Sequence, residues 1–185
     1  ARSERTAEAA GLRDAGVGER AVRAALRAAA GKGGFDIALV VADGLSATAV
    51  ALNAAPLARV LGDKATAAGW TVAPLVIAHQ ARVALGDWIC AELDARSVVV
   101  LVGERPGLSA ADSLGAYVTF DARPGTPDSA RNCVSNIHPP GGLGYADAAR
   151  IAASLVDGAV ALGRSGVDLK DTSRALGVPD TTELI

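Results

Sequence analysis

Methionine is absent from this chain of 185 residues, and Phe, Tyr and Trp together make up only 3% of it. The core must therefore be built from Ala, Val, Leu and Ile, which suits Ala-rich helices packed closely on a Val-rich sheet. There are only two cysteines, Cys90 and Cys133, far apart in sequence. That is too few for a disulfide framework, and with His79 and His138 as the only histidines and no C-x-x-C, the expectation is that no metal is bound by the chain. Neither sign of charge dominates. The 18 basic and 20 acidic residues interleave for a net −2, with no basic stripe and no acidic tail, so nucleic acid is not an expected partner. No apolar run approaches the ~18 residues of a membrane span. No secretory signal opens the sequence, so a soluble, cytoplasmic protein is expected.

The familiar catalytic signatures are missing as well. There is no G-x-x-x-x-G-K-[ST] phosphate loop, and no G-x-G-x-x-G follows the first strand. Gly44-Leu45-Ser46-Ala47-Thr48 falls one glycine short of a nucleophile elbow, which speaks against a serine hydrolase.

What is present is an alternation of strand and helix patterns. The length suits one domain, which at this size buries roughly 70% of the unfolded surface. Residues 1–35 form a poorly defined N-terminal segment with a helix over Glu19–Ala30, ended by Gly31 and Gly33. Residues 36–171 form the domain proper, and 172–185 a C-terminal tail. Strands are expected at Ile37–Val41, Thr71–Ile77, Val98–Val102 and Tyr117–Phe120. Helices are expected from Ser46 to about Ala68, over Leu85–Leu93 and over Tyr145–Leu162. Pro56 should kink the first of these or open a second helix. One helical turn fits Ser109–Ser113, and the Pro-, Gly- and Asn-rich stretch Arg123–Gly144 reads as an irregular loop of ~20 residues, a length usually tied to function or disorder. The pattern implies βαβ units, hence an α/β fold with a parallel sheet.

The richest stretch is Val98-Val99-Val100-Leu101-Val102, a strand buried on both faces that stops at Gly103-Glu104-Arg105-Pro106-Gly107. In open α/β sheets ligands collect outside the carboxyl ends of parallel strands. Four loops are expected at that edge: Asp43–Ser46, Gln80–Val83, Gly103–Gly107 and the one carrying Arg131–Pro139.

These segments carry a resemblance. Ala42–Ala47, Gln80–Val83, Gly86-Asp87, Gly103–Leu108, Asp112–Gly115 and Arg131–Ile137 are similar, in order and spacing, to the small (light) subunit of ethanolamine ammonia-lyase. The similarity runs from about Asp36 to Asp171, while residues 1–35 do not resemble the longer N-terminal region usual in that family. The resemblance implies a Rossmann-like three-layer α/β domain with a mostly parallel sheet. It also implies a partner, a TIM-barrel large subunit that holds ethanolamine and converts it to acetaldehyde and ammonia. Adenosylcobalamin would lie between the two subunits in its base-on form, which fits the absence of a D-x-H-x-x-G histidine motif here. A bacterial microcompartment is the alternative setting to free cytosol.

By motif position the resemblance makes Val83, Glu104 and Cys133 the cofactor-binding residues, with Arg105, Ser135 and Asn136 as weaker candidates. It assigns no catalytic residue and no metal ligand to this chain, which alone should be inactive. Corrin is a broad apolar disc rimmed with amide arms, and an ionised carboxylate accepts from amide NH2 groups. Such a charge-assisted bond contributes about 1.5–3 kcal/mol. Each residue also has a plainer reading. Glu104 could pair with Arg105 or cap a helix, Val83 could be buried at a loop–helix junction, and Cys133 could be a nucleophile activated by His138. Ser46 reads as an ordinary N-cap, although the Asp43–Ser46 turn could instead receive an anion. Arg82, Arg105 and Arg131 are rim donors or inter-subunit ion-pair partners. The alternative function is a stand-alone nucleotide-binding or Cys-dependent hydrolytic α/β enzyme, and a third is a purely structural assembly subunit.

Overall fold

A computed structural model describes residues 19–104 and 111–171. Helix α1 spans Glu19–Ala30, β1 Phe35–Ala42, α2 Ala47–Ala67, β2 Val76–Ala78 and α3 Leu85–Leu93. Strand β3 follows at Ala95–Gly103, β4 at Leu114–Phe120, a 3-10 turn at Asp128–Ala130, β5 at Asn132–Ile137 and α4 at Tyr145–Leu162. Residues 1–18, the tail 172–185, and Ser109 and Ala110 of the expected turn at Ser109–Ser113 lie outside the described residues. No described helix is long and apolar enough to cross a membrane.

The sheet order is β2-β1-β3-β4-β5. Strands β1, β2 and β3 are mutually parallel, β4 is antiparallel to β3, and β5 is antiparallel to β4. All strands but β4 thus run the same way, and the sheet is mostly parallel in direction. Alternation along the strands splits the core into two halves. Ile37, Leu39, Val99, Leu101, Ala116 and Val118 point to α2 and α4. Ala38, Val40, Val98, Val100 and Val102 point to α3. Helix α1 docks on the outside of α3, where the guanidiniums of Arg23 and Arg27 grip the buried carboxylate of Glu92. The result is a three-layer α/β sandwich.

Several local expectations change. Proline 56 sits inside one continuous helix, on a half-buried position flanked by buried Ala54 and Leu57, so core packing on both sides carries the helix past it. The second strand shrinks to Val76–Ala78, because Pro74 has no N–H to give the ladder; upstream only a single bridge joins Val72 to Ile37. The fourth strand starts earlier than expected, at Leu114, and runs antiparallel. Its connection from Gly103 is shorter than the dozen or more residues a parallel crossover needs. The stretch read as an irregular loop contains β5, whose polar sequence hides it: among its six residues only Val134 and Ile137 are buried.

Candidate functional site

The carboxyl ends of β1, β2 and β3 share one edge with the start of β4 and the end of β5. Two of the four expected loops meet there, together with Gly103 and Glu104 of the third. The reversal of β4 carries residues 121–131 to the opposite edge, and the fourth expected loop, the one carrying Arg131–Pro139, is mostly the strand Asn132–Ile137 that returns to the site edge. Cys133 accordingly stands within the strand, second of its six residues and directly across from Tyr117 of β4.

On the α3 side of the sheet these pieces form one face. Tyr117 and Val83 pack against the same buried cluster. Glu104, half-buried at the end of β3, lies over Gly115: a Cβ built on that glycine would sit 3.3 Å from the Tyr117 ring and 3.6 Å from Glu104 Oε1. Cys133 and Ser135 are exposed on β5, and no described helix lies over that part of the sheet. Glu104 and Cys133 are therefore brought together around Tyr117, with Ser135 and Asn136 at their margin, and Val83 packs on the same buried cluster as Tyr117. Arg105 lies outside the described residues.

The Glu104 carboxylate is held from one side. Ser113 Oγ donates to Oε2, and the Asn136 N–H lies 3.4 Å from both oxygens. Pairing with Arg105 is thus not needed to fix it, and two carboxylate oxygens offer more acceptor sites than these donors fill. Asn136 reaches this position through a β-bulge. Between the pairs Ala116–Val134 and Leu114–Ile137, β5 uses one residue more than β4, and Asn136 takes a left-handed φ of 61° that Asn tolerates.

The electrostatics define what Cys133 can do. It is exposed on its outer side, yet the protein around it desolvates the thiol. That effect, with Glu104 nearby, outweighs a hydrogen bond from Tyr117 and pushes the thiol up to about 11. Tyr117 is pushed up to about 12, first by desolvation and then by Cys133 and Glu104. His138 is turned to Asn136, its Nε2 lying 2.8 Å from Oδ1, and among the described residues no hydrogen bond joins its ring to Cys133. The nucleophile reading of Cys133 has no geometric support.

The remaining candidates resolve similarly. Ser46 is the N-cap of α2, its Oγ accepting from the Ala49 N–H at 3.2 Å, and Asp43 turns to His79 Nδ1 and the Gln80 N–H. The N-terminus of α2 is thus capped from within. The Arg131 side chain turns inward. It is buried and donates to both oxygens of buried Asp87, at 2.6 and 2.8 Å. Arg82 remains exposed. Tyr117 is the residue sequence reasoning missed; one of only two tyrosines, its place opposite a cysteine was hidden while β5 was read as a loop.

The family model for "Ethanolamine ammonia-lyase light chain (EutC)" matches residues 10–170, reaching back through α1 beyond the motifs that start near Asp36. Over 142 residues the chain is 54% identical to the ethanolamine ammonia-lyase small subunit of Rhodococcus erythropolis, covering 76% of this chain and 54% of that protein. Its similarity to the small subunit of Ralstonia nicotianae is 52% over 146 residues, 79% of this chain and 54% of the relative. For Azotobacter vinelandii it is 52% over 139 residues, 75% and 51%. The chain spans about half the length of these curated relatives. With nearly the whole domain matched, this chain belongs to the ethanolamine ammonia-lyase light-chain family.

Proposed function

We propose that this chain is the small subunit of an adenosylcobalamin-dependent ethanolamine ammonia-lyase and holds one side of the cofactor at its interface with a TIM-barrel large subunit. The observation that supports the reading is the gathering of Glu104 and Cys133 around Tyr117 at the carboxyl edge, with Val83 packed on the same buried cluster. The donor set suits a corrin. Val83, the Tyr117 ring and an un-ionised Cys133 thiol give weakly polar contact, while Glu104 keeps acceptor capacity for an amide arm. Ser135 and Asn136 add exposed polar groups at the margin.

When bound, the cofactor supplies the cobalt–carbon bond whose homolysis starts the conversion of ethanolamine to acetaldehyde and ammonia. This chain's residues bind, orient and exclude water. The isolated chain is proposed to be inactive, and its setting to be the cytoplasm or a bacterial microcompartment.

The test is co-expression with a large subunit and titration with cobalamin followed by absorbance. Binding should require both chains, and Glu104→Ala should weaken it about tenfold to a hundredfold, the equivalent of one charge-assisted hydrogen bond. Unchanged affinity in an intact Glu104→Ala complex would remove Glu104 from the site. Turnover by the single chain, lost on Cys133→Ser, would instead support the hydrolase.

A further inference from the structure

We infer that Asn53, on α2, is a positioning residue for Glu104; the inference rests on the proposed role of Glu104 as a cofactor contact. Glu104 is joined to the returning limb of its own loop by two bonds, its N–H donating to the Ser113 carbonyl at 2.9 Å and its carboxylate accepting from Ser113 Oγ. The direction of the carboxylate therefore depends on where Ser113 is held.

Ser113 is held from the other side of the sheet. The limb that carries it, Ala111–Ser113, is bonded to α2 twice. Ser46 Oγ donates to the Ala111 carbonyl at 2.7 Å, and Asn53 Nδ2 donates to the Asp112 carbonyl at 2.7 Å. Such close approach is allowed by Gly103, where a Cβ would stand 2.3 Å from the Ser46 carbonyl oxygen. Asn53 itself is only 4% exposed, and its orientation is dictated at both ends. A backbone carbonyl can only accept, so the NH2 must face Asp112. The opposite oxygen, Oδ1, accepts from the Tyr145 hydroxyl of α4 at 2.8 Å. A buried amide with both ends satisfied has one stable setting, and it transmits that setting from α4 through α2 to Ser113 and Glu104.

The discriminating substitution is Asn53→Asp, which keeps the shape and the bond to Tyr145 but sets an acceptor against the Asp112 carbonyl. Measured in the complex with a large subunit, it should weaken cobalamin binding about tenfold, the usual scale of one lost buried hydrogen bond. The decisive readout is a double-mutant cycle with Glu104→Ala. If Asn53 acts through Glu104, Asn53→Asp weakens binding in the wild-type background and adds nothing once Glu104 is gone. A further loss in the Glu104→Ala background, or wild-type affinity for Asn53→Asp, overturns the inference. If Glu104→Ala alone has no effect, the fault lies instead with the assignment of Glu104. Should Asn53→Asp yield no complex, Tyr145→Phe takes its place in the same cycle. A loss of affinity that depends on Glu104 then supports the inference, and none refutes it.

Discussion

Asp87 and Arg131 form a buried two-point ion pair that ties the first turn of α3 to the residue preceding β5. Val83 lies one turn before Asp87, and Cys133 two positions after Arg131. The pair thus sets the spacing between the two limbs of the site. Arg131 also donates to the Thr126 carbonyl at 2.8 Å, which closes the β4–β5 connection around it.

Breaking this pair should be costly in one direction only. Arg131→Met leaves the Asp87 carboxylate buried without its partner, and a loss of about 3–5 kcal/mol is expected in urea unfolding. Replacing both, with Asp87→Leu and Arg131→Met, should recover most of it. Burial already pushes the Asp87 carboxyl up, against the pull of Arg131. In Arg131→Met that rise is unopposed by Arg131, so the carboxyl contributes most when protonated. The variant's deficit should shrink as pH falls toward the ordinary Asp value of 3.8 and grow as pH rises. A deficit independent of pH would count against this account.

Cys133 should react slowly with iodoacetamide at neutral pH despite its exposure. Its thiol is pushed up to about 11, so the alkylation rate should keep climbing through pH 9 and 10. Cys90, also pushed up to about 11 and buried, donates to the Ala95 carbonyl and should not compete. Mass spectrometry of the labelled chain checks both, and a rate that levels off below pH 8 would show an activated thiolate.

Acid should undock α1. Burial raises Glu92, but hydrogen bonds and charge from Arg27 and Arg23 outweigh it, and the net shift is downward. A depressed carboxylate stabilises the fold above its unfolded value of 4.5, and that contribution fades as pH falls through the lower folded value. Arg23 lies 5.0 Å from the Trp88 ring centre, so Trp88 fluorescence reports the event. In a Trp70→Phe background the emission should shift at acid pH, and Glu92→Gln should bring the shifted spectrum to neutral pH.

Pro56→Ala should stabilise the chain. It restores an N–H inside α2, where a proline ordinarily costs about 3 kcal/mol. Part of this is offset by the roughly 0.4–1 kcal/mol that proline saves in the unfolded chain. A rise in urea midpoint is expected, and a fall would mean that the ring packs usefully.

Elements whose burial follows a regular period were legible in sequence. Helices at Glu19–Ala30, Leu85–Leu93 and Tyr145–Leu162 have the expected bounds, and the Val98–Val102 run lies within β3. The misread elements are those where a local rule gave way to tertiary context. Pro56 is carried inside a packed helix, and β4 owes its direction to the length of its connection. Strand β5 shows neither alternation nor hydrophobicity because one of its faces is open and a bulge interrupts its period. The candidates Val83, Glu104 and Cys133 come from motif resemblance, whereas Tyr117 and Asn53 stand out only through partners on distant elements that no sequence window contains.

The bulge in β5 can be considered as an insertion in a repeating frame. Val134 and Ile137 both enter the core beneath α2 and α4, although a regular strand would send residues three apart to opposite faces. Excising Asn136 would bring Leu114 opposite the same isoleucine in ordinary phase, so the interior gains nothing from the additional residue. Its bonds lie outside the core: its amide faces the Glu104 carboxylate, its carbonyl accepts from the Leu143 N–H, and its Oδ1 engages His138. The strand thus carries one residue that packing does not explain, and it marks the point where the demands of folding and those of the site part company.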